Sequence, residues 1–387
     1  MKYRLVELLA CPHCGGRLSL NGIKEEKASL SSEEAGPRCS SFCAWLRLDL
    51  DIAGPQGMGE RCKGCYHREI VEGTLVCGCG TSFPIRDGVP ILLPPPKPEL
   101  AAAKKNGPKG DKATTPRIVS ESFSYEWEAY RYGSLTWEMD LEERKDFFLR
   151  YLKTDKESLR HALVLDAGCG NGTLTAVLTG LGVETVGMDI SRSVFRAQGT
   201  KEGFAPTTAH LVHFVQGDIM TPPFRQATFD IVYADGVLHH TPSTSQAFLS
   251  LAPLAKRGGR YFVWLYRRDL PLRLRPKQLV LKVLQSFTWR LPHPILFRIC
   301  TAGALPLLVL VRLRRLLGDK GRRLIPLPLK AVNLFDTLSP RYNHAHTFQE
   351  ISGWFAEAGY SSIADVTIDK TSTGWGLGVV GTLQQVG

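Results

Sequence analysis

Val164-Leu165-Asp166-Ala167-Gly168-Cys169-Gly170-Asn171-Gly172 is the stretch that decides the fold. An apolar run ends in an acid, three alternating glycines follow, and a helical pattern resumes at Leu174. That order predicts a buried strand, a tight turn and the start of a helix. Glycines there permit positive φ and let a ligand approach bare backbone, while the helix N-terminus offers unpaired N–H groups. The spacing is D-x-G-x-G-x-G. A dinucleotide fingerprint has G-x-G-x-x-G and leads to a pyrophosphate, so a different ligand is expected.

Outward from this loop, Ala162–Leu165, Thr185–Met188, Leu211–Val215, Phe229–Tyr233 and Arg260–Leu265 read as strands, with helical material between them and a helix over 137–155 before them. The alternation predicts an α/β fold: a Rossmann-like, doubly wound parallel sheet. It stops after Leu265 and resumes with a helix at 348–358 and strands near 361–368 and 375–383, so about 266–335 reads as a helical insertion. Upstream, 94–117 opens on Pro94-Pro95-Pro96-Lys97-Pro98 and continues rich in Lys, Gly, Ala and Thr, a composition that links domains rather than burying a core. It separates 1–93 from 118–387, in keeping with two or three domains in 387 residues. The 43% hydrophobic content excludes wholesale disorder and a fibrous repeat.

Two further acids fall at expected strand ends. Asp189 follows Val186-Gly187-Met188, and Asp218 follows Val215-Gln216-Gly217. A carboxylate after the second strand can accept from both hydroxyls of a ribose. One after the third can accept from an exocyclic adenine amine. Asp166, at the loop entry, suits a cationic amino group. Together they imply a nucleoside carrying an amino acid.

These segments, with Met188-Asp189-Ile190-Ser191, Gln216-Gly217-Asp218-Ile219 and Phe229 to His240, resemble the class I S-adenosylmethionine-dependent methyltransferases over roughly 120–265 plus the terminal strands. The resemblance implies S-adenosylmethionine as donor. It places cofactor contacts at Asp166, Gly168, Gly170, Asn171, Gly172, Asp189, Ile190, Asp218, Ile219 and Ala234. Ser122 to Trp127 is similar to an aromatic segment that closes over the cofactor in some members; a plain packing helix is the alternative. Asp235, His239 and His240 stand where chemistry gathers in doubly wound folds, with His240 first as a base. The alternative is a His–His pair that only shapes the pocket. The loop Ser339 to Thr347, with His344 and His346, resembles one lying near substrate in small-molecule methyltransferases. No N/D-P-P-Y/F and no Pro-Cys follows the fourth strand, which lowers the nucleic-acid reading.

Eight of ten cysteines lie in the first 79 residues as close pairs, a spacing that suits metal coordination better than disulfides and predicts a reducing, cytoplasmic setting. Leu8-Leu9-Ala10-Cys11 mimics a lipoprotein cleavage site, but the apolar run before it is short and Glu7 interrupts it. Cys11, Cys14, Cys77 and Cys79 are expected to hold a structural zinc. Both ends of this unit, above all Phe83-Pro84-Ile85-Arg86-Asp87-Gly88-Val89-Pro90-Ile91-Leu92-Leu93, resemble the small zinc-ribbon family that partners and activates methyltransferases of tRNA and proteins. Cys39, Cys43, Cys62 and Cys65 form a second candidate set; substitution of one pair into the first site, or plain thiols, are the alternatives.

The net charge of +11 is local: residues 265–330 carry fifteen Lys or Arg against two Asp, and nineteen leucines. The longest uncharged run there, Ile299 to Val311, is thirteen residues with Pro306 inside, so no membrane-spanning helix is expected. Leucine interleaved with arginine suits a helical lid, a peripheral contact of 266–335 with the inner face of the membrane, or, with less aromatic support, RNA. The expected function is methyl transfer to a small-molecule acceptor, hydrophobic or lipid-linked. The alternatives are an rRNA or tRNA methyltransferase and a non-catalytic module that holds the cofactor.

Overall fold

The computed structural model describes residues 1–28, 38–50, 58–93, 114–129, 139–318, 324–368 and 375–385. Most of the expected linker lies outside these residues, and its last four belong to a helix that begins at Thr114.

The N-terminal unit contains α1 (Arg4–Leu8), β1 (Leu18–Lys27), β2 (Phe42–Cys43), β3 (Leu48–Asp49), α2 (Met58–Tyr66), β4 (Arg68–Cys77), β5 (Ser82–Arg86) and β6 (Val89–Pro90). An antiparallel sheet runs β1-β4-β5-β6, and β2 and β3 pair separately. The register sets Leu18 opposite Cys77, which brings the first and last cysteine pairs to one end of the sheet. Leu5, Leu18, Leu75, Phe83 and Ile85 fill its core.

The second unit begins with α3 (Thr114–Ala129) and α4 (Leu141–Leu152). Asp140 and Glu143 form a reciprocal capping box at the start of α4, which buries Phe148, Tyr151 and Leu152. There follow β7 (Leu163–Ala167), α5 (Thr173–Leu178), β8 (Glu184–Asp189), α6 (Ser193–Phe204), β9 (Val212–Gln216), β10 (Phe229–Asp235), α7 (Thr244–Leu251) and β11 (Ala255–Tyr266). After the insertion come α11 (Phe348–Glu357), β12 (Tyr360–Asp365) and β13 (Gly376–Leu383). The sheet order is β12-β13-β11-β10-β7-β8-β9. β7 to β11 are mutually parallel, and the order reverses between β7 and β10, the switch point at which such sheets bind ligands. One strand departs from the all-parallel expectation: β13 runs antiparallel to both of its neighbours, β11 and β12. Only residues 366–375 join β12 to β13, too few for the helical crossover a parallel pair requires.

The N-terminal unit covers the sheet's open edge. Ile91 bridges to Gln216 of β9, the Leu92 N–H donates to the Gln216 carbonyl at 2.8 Å, and Leu9 bridges to Phe224. Leu9 and Leu92 share one apolar core with Val186, Val215 and Phe224. Arg4 donates to the buried Glu184 at 3.2 Å, and His213 lies 3.0 Å from the same oxygen. Burial pushes Glu184 up, but Arg4 and His213 prevail and hold it down at about 2.

The insertion folds as α8 (Arg275–Thr288), α9 (His293–Leu316) and α10 (Leu327–Leu338). One expectation is corrected here. By length and composition α9 is apolar enough to cross a membrane. It continues through Pro306 and past Arg298, where the sequence reading had ended the run, because an isolated charge or proline need not end a helix already held along one face.

Candidate active site

The glycine turn is built as its spacing requires. Gly168 has φ +82°, and a Cβ there would fall 2.4 Å from Val237 Cγ2. Its N–H donates to the Met188 carbonyl at 2.7 Å, tying the turn to the neighbouring strand. Gly172, at φ +69°, caps α5, and a Cβ there would strike Ala197 and Phe214. Asp189 accepts from the Gly170 N–H at 2.9 Å and from the Ser191 N–H at 2.8 Å. Its carboxylate is thereby fixed, with lone pairs left over. The Thr175 hydroxyl donates to Asp166 at 2.6 Å, and burial raises the Asp166 carboxyl to about 6. Burial also raises Asp218, which accepts from the Met220 N–H at 2.9 Å.

These groups line one cavity at the switch point. Of the expected cofactor residues, Asp166, Gly168, Asn171, Asp189, Ile190, Asp218 and Ile219 are on its wall. Gly170 and Gly172 do not line it but shape the turn, both with positive φ. Ala234 is fully buried inside β10; the wall is made instead by Asp235, Gly236 and Val237. Sequence reading missed Arg144 from α4 and Asp336 from α10, both on the wall. The Ser122–Trp127 segment is part of α3, and it places Phe123 and Trp127 there too. A Cβ on Gly170 would meet the Trp127 ring at 2.5 Å, so the indole sits directly over the glycine turn.

Behind this wall Glu126 is fully buried, and neither of its oxygens has a hydrogen-bond partner. Burial, with Asp336 and Asp189 nearby, pushes it well above the usual carboxylate range. Burial raises Asp336 to about 7.

The three catalytic candidates divide. Asp235 and His240 reach the cavity, and Asp235 accepts from the Tyr233 hydroxyl at 3.0 Å. His240 Nδ1 lies 2.9 Å from the Tyr342 carbonyl oxygen, which can only accept, so this nitrogen carries the proton and Nε2 is left as the base. Burial lowers His240 to about 4, keeping the ring neutral near pH 7. His239 is not on the wall; it packs 4.0 Å from the Tyr266 ring with both nitrogens buried and unpartnered. His344 and His346 are held by backbone bonds to His239 and Tyr266 and do not line the cavity.

Residues 165–263 match the family model for a methyltransferase domain, and residues 2–88 match that for a Trm112p-like protein. The chain joins a Trm112p-like unit to a methyltransferase domain. An uncharacterized methyltransferase of Mycobacterium tuberculosis (strain ATCC 25618 / H37Rv) is 35% identical over 96 residues, covering 25% of this chain and 46% of that protein. A sterol 24-C-methyltransferase of Gibberella zeae is 34% identical over 105 residues, 26% of this chain and 27% of that protein. The chain thus spans less than half the length of these curated relatives. Magnesium protoporphyrin IX methyltransferase from Synechocystis PCC 6803, solved with bound SAH, aligns with a TM-score of 0.43 at 18% identity, over 70% of this chain and 100% of that one.

In the Trm112p-like unit the sulfurs of Cys11, Cys14, Cys77 and Cys79 all lie within 4.8 Å of one another. Cys11 and Cys79 are 3.9 Å apart, and Cys14 and Cys77 3.4 Å. Four sulfurs bound tetrahedrally to zinc at about 2.3 Å stand about 3.8 Å apart, so the donor set fits that ion. Gly16 leaves room beside it, because a Cβ there would come 3.2 Å from both Cys14 and Cys77 Sγ. The second candidate set is not assembled in this way. Cys39, Cys43, Cys62 and Cys65 border one small cavity with Trp45 and Tyr66, but they do not converge as the first four do. Cys39, Cys43 and Cys62 share an apolar cluster with Leu46, Leu48 and Leu50, and Cys65 packs against the larger core.

The methyltransferase cavity also fits S-adenosylmethionine. Gly168 leaves the approach to bare backbone open, and Asp189 is preset for a ribose between Ile190 and the glycine turn. Asp218, with Ile219 and Met220, suits an adenine. Asp166 and Arg144 are complementary to the α-amino and α-carboxylate groups of a methionyl end.

Proposed function

We propose that the protein transfers a methyl group from S-adenosylmethionine to a small, hydrophobic acceptor. The charge of the cavity carries the donor half of this reading: Asp166, Asp189, Asp218 and Asp235 face one cation, Arg144, and Asp336, raised to about 7, adds part of a charge. That balance suits a cationic nucleoside and repels a pyrophosphate.

When bound, S-adenosylmethionine supplies a methyl group made electrophilic by its sulfonium. The protein's part is largely positioning. Asp166 and Arg144 hold the amino-acid end, Asp189 the ribose and Asp218 the adenine amine. Val119, Phe123, Trp127 and Val237 exclude water and give the acceptor an apolar approach. His240 Nε2 takes the proton from a hydroxyl or amine acceptor, and Tyr342 keeps the ring in the tautomer that can do so. The sterol acceptor named for one relative lends support to an apolar substrate. Four cysteines gathered as a metal donor set and six more outside any disulfide favour a reducing, cytoplasmic setting.

The test is transfer of labelled methyl from S-adenosylmethionine into cell extract, separated into lipid, aqueous-metabolite and RNA fractions. Label in lipid or metabolites that is absent with Asp189→Ala supports the proposal. Label in RNA assigns the enzyme to RNA instead. Cofactor binding without label in any fraction favours a non-catalytic module.

A further inference from the structure

The insertion leaves an apolar face uncovered, and its neighbours indicate what covers it. Among the described residues, sixteen large hydrophobic side chains are exposed, and fifteen of them lie between Leu272 and Leu324. On α8 they are Leu279, Val280, Val283 and Phe287, which share one helical face; Leu279 is 65% exposed. On α9 the exposed set runs from Ile295 and Ile299 through Leu305, Val309 and Leu310 to Leu313 and Leu316. Soluble surfaces scatter such residues singly, whereas a contiguous set marks an interaction site.

The opposite face of α9 is already used. Leu296, Cys300 and Ala304 recur every fourth residue and are buried, the first two against Phe335 of α10. Phe297 and Leu308 pack with Ile325, Leu329, Val332 and Trp127. α8 is tied to the end of α10 by Gln285 to the Thr337 carbonyl and Thr288 to the Leu338 carbonyl. The bare faces are therefore not waiting for the body of this protein.

Charge decides among occupants. Residues 270–318 contain no acidic side chain. Lys277, Lys282, Arg298, Arg312 and Arg314 are exposed on the same two helices as the apolar residues. Cations beside aliphatic side chains match an anionic bilayer surface, where headgroups meet the charges and acyl chains receive the Leu, Ile and Val. A nucleic-acid surface would pair its cations with exposed aromatics and polar groups, and Phe287 is the single exposed large aromatic among the described residues of this block.

We propose that α8 and α9 form an interfacial anchor that seats the protein in the plane of an anionic membrane surface. α9 is about 36 Å long, enough to cross a bilayer, but its packing holds it in plane. Phe297 near one end and Leu308 near the middle both contact the cluster that holds Trp127, and α10 beside it carries Lys330, Asn333 and Asp336. A spanning α9 would drag these polar groups and the cofactor wall into hydrocarbon. The anchor does not depend on methyl transfer. α10 packs on α9 and supplies Asp336 to the cavity wall, so the anchor holds the site close to the membrane surface.

The test is co-sedimentation of the full chain with phosphatidylcholine vesicles containing about one-third phosphatidylglycerol, against phosphatidylcholine alone. Binding to the anionic vesicles should weaken with added salt. It should fall at least about ten-fold in L279E/V283E/L313E, whose wild-type side chains are solvent-exposed and whose thermal midpoint should stay at the wild-type value. R312Q/R314Q should lose the preference for anionic lipid while keeping residual binding. Absence of vesicle binding by the wild type overturns the proposal, as does binding that the apolar substitutions leave unchanged. Retention in cell membranes after alkaline carbonate extraction replaces the in-plane anchor with a spanning helix. Self-association without vesicle binding gives the face to a second copy of the chain.

Discussion

Asp189 Oδ2 accepts the backbone N–H of Gly170 at 2.9 Å, joining the acid at the end of the second central strand to the glycine turn after the first. The carboxylate proposed to hold the ribose and the turn it faces are thus one rigid unit, held further by Ser191 N–H to Oδ1 at 2.8 Å and by the Ser193 hydroxyl to the Gly170 carbonyl at 2.6 Å. Such preorganisation means that the site is largely formed before its ligand arrives.

Gly168→Val should lower S-adenosylmethionine affinity by at least about ten-fold, because its positive φ disfavours any side chain and the new Cβ collides with Val237 on the cavity wall. Zinc content of the same protein should stay at the wild-type level, since the cysteine cluster lies in the other unit. Equilibrium dialysis and metal analysis on one preparation read both.

Cofactor affinity should fall in acid. The Asp166 carboxyl titrates at about 6 in the free protein, and a bound ammonium favours its charged form, which lowers that value in the complex. Affinity is therefore full above pH 6 and declines by up to about ten-fold per pH unit below it, until the value in the complex is reached. Titration calorimetry from pH 7.5 to 5 measures the slope, and Asp166→Asn should flatten it.

His240→Asn should reduce kcat by about 100-fold or more while leaving S-adenosylmethionine affinity within about two-fold, if the acceptor loses a proton during transfer. His240 lines the cavity but is not among the residues proposed to hold the nucleoside. Steady-state kinetics with the acceptor found by label fractionation make the measurement.

Removing the metal should loosen both units. Cys77 and Cys11 belong to the same apolar core as Val186 and Val215 of the methyltransferase sheet. A strong chelator, or Cys14→Ser/Cys79→Ser, should lower the thermal midpoint of the whole chain rather than produce a separate early transition. Calorimetric scans with and without zinc distinguish the two behaviours.

Glu184→Ala should destabilise the protein by about 1–3 kcal/mol, since it removes one of the two carboxylate partners of the buried Arg4 at the junction of the two units and leaves Glu7 as the other. The folded Glu184 is held at about 2, below its ordinary value. Its contribution is therefore present above about pH 4.5 and is lost as pH falls toward 2. Urea unfolding of wild type and variant at pH 7 and pH 4 checks size and sign.

How much of this was legible depended on whether a signal is local. The turn at 166–172 and the acids at 189 and 218 announce themselves because one strand end and its next few residues make each contact. The first zinc set was legible as two close pairs, and the β1–β4 register explains why pairs so far apart in sequence meet. Arg144 and Asp336 were invisible: each sits within a helix whose packing, not its sequence, turns it toward the cavity. His239 and Ala234 were over-read for the opposite reason, since adjacent residues inherit a motif's importance while pointing elsewhere. The length of α9 was missed because Arg298 and Pro306 look like boundaries until the buried face through Leu296, Cys300 and Ala304 is seen to continue across them.

Calorimetric titration of the full chain with S-adenosylmethionine, beside Asp189→Ala, is the most direct test of the central claim. One saturable site in the wild type, weakened by about 100-fold or more in the variant, is the predicted result, because two charge-assisted hydrogen bonds to the ribose are lost. No binding by the folded, zinc-loaded wild type, or equal affinity in both proteins, would contradict it.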